Sequence, residues 1–164
     1  MNAVAPIDPK RYTREGSPAA NTVAATIDEI RSRYFQRGST AARRLPELDA
    51  LDELAAFNDN WDGRESPAPS SIAIETARRW LDDLRAESYL AGRPWISPHV
   101  SAGDDGEISL EWWRQTRKIS LYFGTNQPEF VKVWGPHIQN DMDSGVLESS
   151  AAFRALWVWL NTST

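Results

Sequence analysis

A chain of 164 residues, 41% hydrophobic and 25% charged, is the size of one ordinary domain with one sizeable core, and its overall composition is far from that of a disordered chain. It contains no cysteine, which excludes a disulfide framework, a thiolate zinc site and a cysteine nucleophile, and suits the cytoplasm. The formal charge of −5 divides unevenly: residues 1–44 hold eight basic and four acidic groups, residues 45–164 ten and nineteen, so the body repels a phosphate backbone and only the N-terminal part attracts one.

Residues 1–20 carry Pro6, Pro9, Gly16 and Pro18 with little apolar content and read as a flexible arm. They lack a hydrophobic signal core and include Asp8 and Glu15, so neither a secretory nor a transit peptide is expected. Residues 21–44 read as an amphipathic helix and a basic connector. Asn21 or Thr22 caps the helix, which runs to about Gln36 with Val23, Ile27, Ile30 and Tyr34 as its stripe. Residues 45–164 read as a single α+β domain.

Within that domain Leu45, Leu48, Leu51 and Leu54 recur every third residue of a short helix. Asn58 to Gly63 breaks it with turn-forming residues. Ser70 then caps a second helix, reaching about Ala86, with Ile74, Ala77, Leu81 and Leu84 buried. After Gly92 and Pro94 the period changes to two, in runs at 108–113, 119–123 and 130–134 separated by turn chemistry. With a short leading strand near His99 to Ala102, they predict an antiparallel meander of three to four strands. Gly135-Pro136 ends it, and a polar loop is expected next. A last helix, capped by Ser149 or Ser150, turns Phe153, Leu156, Trp157 and Leu160 to one sheet face. Two or three helices, a meander and one helix give an α+β fold, not a parallel doubly wound sheet.

Pairing Trp113 with Lys118 sets Trp112 opposite Ile119, Leu110 opposite Leu121 and Ile108 opposite Phe123, and extension places Val131 and Val133 on that apolar face. The other face then reads Trp113–Lys118–Trp134, Glu111–Ser120–Lys132 and Ser109–Tyr122–Phe130. Four aromatics around one Glu and two Lys look like an interaction surface, with Trp113, Trp134, Tyr122 and Phe130 as anchors and Glu111, Lys118 and Lys132 setting orientation. Either the helix at 22–36 covers that face, or a partner or a second copy does.

No catalytic set emerges. Asn58, Asn60, Asp62 and Gly63 match the start of a calcium loop, but its twelfth position is Pro69, where a bidentate acid is needed. The expected role of Asn60, Trp61, Asp62 and Gly63 is structural: side chains satisfy the turn, Gly63 takes a positive φ and Trp61 plugs the end of the helix pair. His99 and His137, the only histidines, have no metal-ligand spacing, although His137 lies near Asp141 and Asp143. There is no Gly-x-Ser-x-Gly elbow and no phosphate loop. Neither cofactor nor metal is expected.

Asn60-Trp61-Asp62-Gly63, the Pro/Ser-rich link at Ser66 to Ser71, Pro98 to Val100 and Gly106 to Trp112 together resemble a group of small bacterial α+β proteins of uncharacterised function. The resemblance covers about residues 45–134 and implies an accessory protein of mobile or defence-related regions, without an activity to transfer. The leading expectation is a non-enzymatic module that binds another protein, of the antitoxin, immunity or defence-inhibitor kind. The alternatives are nucleic-acid association through residues 1–44, using Lys10, Arg11, Arg14, Arg31, Arg33, Arg37, Arg43 and Arg44, and a hydrolase-type enzyme near Asp62 and His137. No membrane partner is expected, and a homodimer stays open.

Overall fold

The computed structural model of the protein describes residues 45–137 and 139–162. The expected arm at 1–20, and the helix and connector at 21–44, lie outside the described residues. In chain order the elements are α1 (Pro46–Ala55), α2 (Ser71–Leu90), β1 (His99–Ala102), β2 (Ile108–Arg114), β3 (Arg117–Phe123), β4 (Glu129–Val133), β5 (Met142–Val146) and α3 (Ser150–Asn161). This is the α+β class, with an antiparallel sheet in the order β1-β2-β3-β4-β5. The sheet has one strand more than expected. β5 replaces part of the polar loop, and none of the described helices is long and apolar enough to cross a membrane.

Local chemistry sets the helix ends. Pro46 opens α1, where its missing N–H costs nothing. The Ser70 hydroxyl accepts from the Ala73 amide at 3.4 Å and opens α2. α2 runs four residues beyond Ala86, to Leu90. Gly106, at φ 82°, makes the turn into β2, and its carbonyl accepts from the Ser70 amide at 2.9 Å. That bond ties the start of α2 to the sheet.

The helices lie over one face, chiefly against β1, β2 and β3. Leu51, Ile74, Ala77, Leu81 and Leu84 meet Ile108, Leu110, Trp112, Ile119, Leu121 and Phe123, all buried, and Phe153, Leu156, Trp157 and Leu160 close the layer. Trp112 packs against Trp95, Phe153 and Trp157 with ring centroids 5.4–5.9 Å apart, in the tilted and edge arrangements aromatic quadrupoles favour. Its indole N–H donates to Ile96 O at 2.8 Å. The Trp95 N–H and the Ser97 hydroxyl donate to the buried Glu47 at 3.0 and 2.6 Å. Arg117 donates to the carbonyls of Trp159 and Thr162, capping the end of α3 from the start of β3.

The β2–β3 register is the expected one, from Ile108↔Phe123 to Trp113↔Lys118. The β3–β4 register is one residue away from it: Leu121 faces Phe130 and Ile119 faces Lys132. A slip of one residue exchanges the faces, so Val131 and Val133 turn outward while Phe130 and Lys132 turn to the helix side. Trp134 follows them and meets Trp159 of α3 edge-on at 6.1 Å. Packing the two large aromatics on the helix side shelters more apolar area than two valines would. Lys132 is accommodated there by Asp143 at 2.8 Å and by the faces of Trp134 and Trp159 at 5.9 and 5.7 Å.

Candidate functional site

β-strand alternation gives the face away from the helices these rows: Trp113–Lys118–Val133–Met142, His99–Glu111–Ser120–Val131–Ser144 and Ser101–Ser109–Tyr122–Glu129–Val146. Of the seven expected binding residues, Trp113, Tyr122, Glu111 and Lys118 share this face. Trp134, Phe130 and Lys132 lie on the other, for the register reason given above. The pattern of β2 and β3 was decisive because one phase is apolar throughout, from Ile108 to Trp112 and from Ile119 to Phe123, whereas the other mixes Trp113 and Tyr122 with serine and charged residues. In β4 both phases carry apolar residues, so alternation alone chose wrongly.

At one end Trp113 is 51% exposed. Lys118 Nζ sits 5.3 Å from its ring centroid and 2.5 Å from Glu111, which also accepts from the Ser120 hydroxyl at 3.0 Å. The His99 ring lies 6.0 Å from that of Trp113. These contacts orient an exposed indole, the cation–π part contributing about 0.5–1 kcal/mol. Met142, 39% exposed, and the half-buried Val133 extend the apolar surface beside it. Sequence reasoning passed over His99, Val133 and Met142 in this role. The alternation of Val100 and Ala102 with His99 and Ser101 was the available signal for His99.

At the other end, Tyr122, Glu129, Asp105, Glu107, Gly106 and Gly124 line a shallow cleft of about 190 Å³. Burial first, then the neighbouring charges of Asp105 and Glu129, holds the Glu107 carboxyl above the usual range. The face therefore runs from an aromatic, apolar end to an acidic one.

The loop between α1 and α2 is a closed hydrogen-bond system. Asn60 Oδ1 accepts from the Glu65 amide at 2.9 Å, Asp62 accepts from the Arg64 amide at 2.9 Å and the Ser66 hydroxyl at 2.7 Å, and Asp59 accepts from the Ala68 amide at 2.8 Å. Those donors, the Ser66 hydroxyl foremost, hold the Asp62 pKa below its usual value. Gly63 has φ 72°, as expected. Trp61 does not plug the helix pair: it is 37% exposed, stacks on Phe57 at 5.2 Å and donates to Pro67 O at 3.2 Å.

The candidate enzyme residues engage locally. Asp62 is occupied within its loop, and Asp141 accepts from the His137 backbone amide at 3.0 Å. Among the described residues no group of three His, Asp or Glu side chains is placed to hold a metal ion. The eight cationic residues at 10–44 lie outside the described residues. In comparisons with known proteins the chain matches no family model, no curated protein and no solved structure.

Proposed function

We propose that this chain is a non-enzymatic protein-binding module that engages its partner through the outer sheet face. The observation that carries the reading is the exposed Trp113, held in place by Lys118, Glu111 and His99 beside Met142 and Val133. An oriented indole loses little side-chain entropy on binding, and aromatics dominate the energetics of interfaces. The acidic end at Glu107 and Glu129, and the excess of acidic groups over residues 45–164, favour a partner with a basic patch beside an apolar one. An antitoxin, immunity or inhibitor protein acting on a basic target has this profile.

The test is quantitative affinity capture from the native host with wild type, Trp113→Ala and Ile72→Ala, the last altering an exposed apolar residue on α2 that is 60% exposed. One stoichiometric protein that survives Ile72→Ala and is lost with Trp113→Ala is the expected result. A partner insensitive to Trp113→Ala overturns the assignment of the face. Nucleic acid that alone is captured, and that is lost steeply with salt, overturns the reading in favour of the basic residues at 1–44.

A further inference from the structure

β5 is the last strand of the sheet, and the alternation of the antiparallel ladder decides which of its backbone groups face outward. The Leu147 amide donates to Pro128 O at 2.7 Å and the Trp134 amide to Asp141 O at 2.9 Å. Stepping by two from these bonded pairs, the β5 residues that bond to β4 are Asp143 and Gly145. The N–H and C=O groups of Met142, Ser144 and Val146 therefore point away from the sheet, and all three residues are exposed. Such an edge is a template for another strand unless the sequence blunts it. β5 contains neither proline nor lysine, and its one charge, Asp143, is turned to the helix side and paired with Lys132 at 2.8 Å.

We infer that β5 pairs antiparallel with β5 of a second copy of this chain, about a twofold axis at Ser144, joining the two sheets into one. This goes beyond the reading of the outer face and rests on the backbone edge of β5, with Met142 the one side chain that serves both. The strand is self-complementary in one register. With Ser144 opposite the partner's Ser144, Met142 lies opposite the partner's Val146 and Val146 opposite the partner's Met142, so the outer face gains two apolar pairs. Asp143 lies opposite the partner's Gly145, where no like charge meets it. All three outward residues are then in bonded positions, giving about six backbone hydrogen bonds. Shifting the register by two in one direction sets Asp143 against the partner's Asp143. Shifting it by two in the other leaves Met142 without a β5 residue opposite. An isologous contact of this kind closes on itself, so it ends at a dimer. The ribbon alone is smaller than the roughly 1,200 Å² at which standard interfaces begin, so the dimer is reversible and grows with concentration.

The chain has no cysteine, which makes Ser144→Cys a clean probe. Bonded antiparallel pairs hold their Cα atoms about 5.5 Å apart, within the range a disulfide spans. Under mild oxidation Ser144→Cys is expected to form a covalent dimer at least about tenfold faster than Ser71→Cys, an exposed site at the start of α2. Sedimentation should show a dimer rising with concentration for wild type and Trp113→Ala, and only monomer for Ser144→Pro. The Ser144 amide bonds nothing in β4, so proline there spares the internal ladder. Cross-linking of Ser144→Cys no faster than Ser71→Cys, or dimerisation unchanged by Ser144→Pro, overturns the inference. So does a foreign protein joined to the Ser144→Cys thiol in place of a second copy. Loss of partner capture in Trp113→Ala, with the Ser144→Cys cross-link still forming in that background, separates this proposal from that of the outer face.

Discussion

Trp112 and Trp113 are neighbours in β2, yet they belong to different regions of the molecule. Trp112 is 1% exposed, packed among Trp95, Phe153 and Trp157, with its N–H on Ile96 O. Trp113 is 51% exposed and touches a lysine and a histidine. One step along a strand turns the same side chain from the helix layer to the opposite face. On the helix side Trp112 and Trp157 are buried in the core, and Trp80, Trp95 and Trp159 pack against it. The outer face holds its indole in position without burying it.

The largest expected effect tests that difference directly. Trp112→Ala should destabilise by about 3–5 kcal/mol, because it opens a cavity among rings that cannot collapse into it. Trp113→Ala should cost under about 1 kcal/mol, as exposed substitutions usually do. Urea denaturation followed by circular dichroism measures both. Comparable losses at the two positions would mean that the outer face is part of the core, and would break the comparison.

A finer test stays within the helix side. Trp112 and Trp157 are both buried, but the Trp157 indole N–H has no hydrogen-bond partner among the described residues. Replacing either by Phe removes similar volume, whereas only Trp112→Phe sacrifices a hydrogen bond, the one to the Ile96 carbonyl. Trp112→Phe should therefore cost about 1–2 kcal/mol more than Trp157→Phe. Equal costs would show that packing alone, and not the polar contact, anchors Trp112.

How far each region could be read from sequence follows the same division. The stripes Ile74, Ala77, Leu81, Leu84 and Phe153, Leu156, Trp157, Leu160 are buried as their spacing predicts, because burial acts on one helical face and leaves an unmistakable period. The β2–β3 register was legible for the same reason. β4 was not, since Phe130, Val131, Val133 and Trp134 offer apolar residues in both phases, and the choice depended on Trp159 of α3, which local alternation cannot see. β5 left almost no signal: Met142-Asp143-Ser144-Gly145-Val146 is rich in residues that strands avoid. It is a strand because β4 pairs with it, and because Gly145, lacking a side chain, leaves room for the Phe130 ring. Four of the seven expected binding residues fall on the outer face, those on β2 and β3; the three on the helix side all follow the β4 register.

The smallest expected effect belongs to the acidic end of the outer face and is read through pH. Burial and the charges of Asp105 and Glu129 raise the Glu107 pKa above the usual 4.5. Between 4.5 and that higher folded value the native state retains a proton that the unfolded chain has released, so stability falls as pH rises through the window. Above the window the penalty is complete and constant. Glu107→Gln removes it, and its thermal midpoint should exceed that of wild type at pH 7, with the difference shrinking as pH falls and vanishing below about pH 4. Asp62 and Asp143 have the opposite sign: their hydrogen bonds, from Ser66 and Lys132 respectively, lower their pKa from 3.8. Their contribution is full above pH 3.8 and is lost as pH falls below it, equally in wild type and Glu107→Gln. A thermal gain for Glu107→Gln that persisted unchanged to pH 3 would mean that the cleft gains from lost bulk and not from lost charge. The acidic end would then have no electrostatic claim on a basic partner.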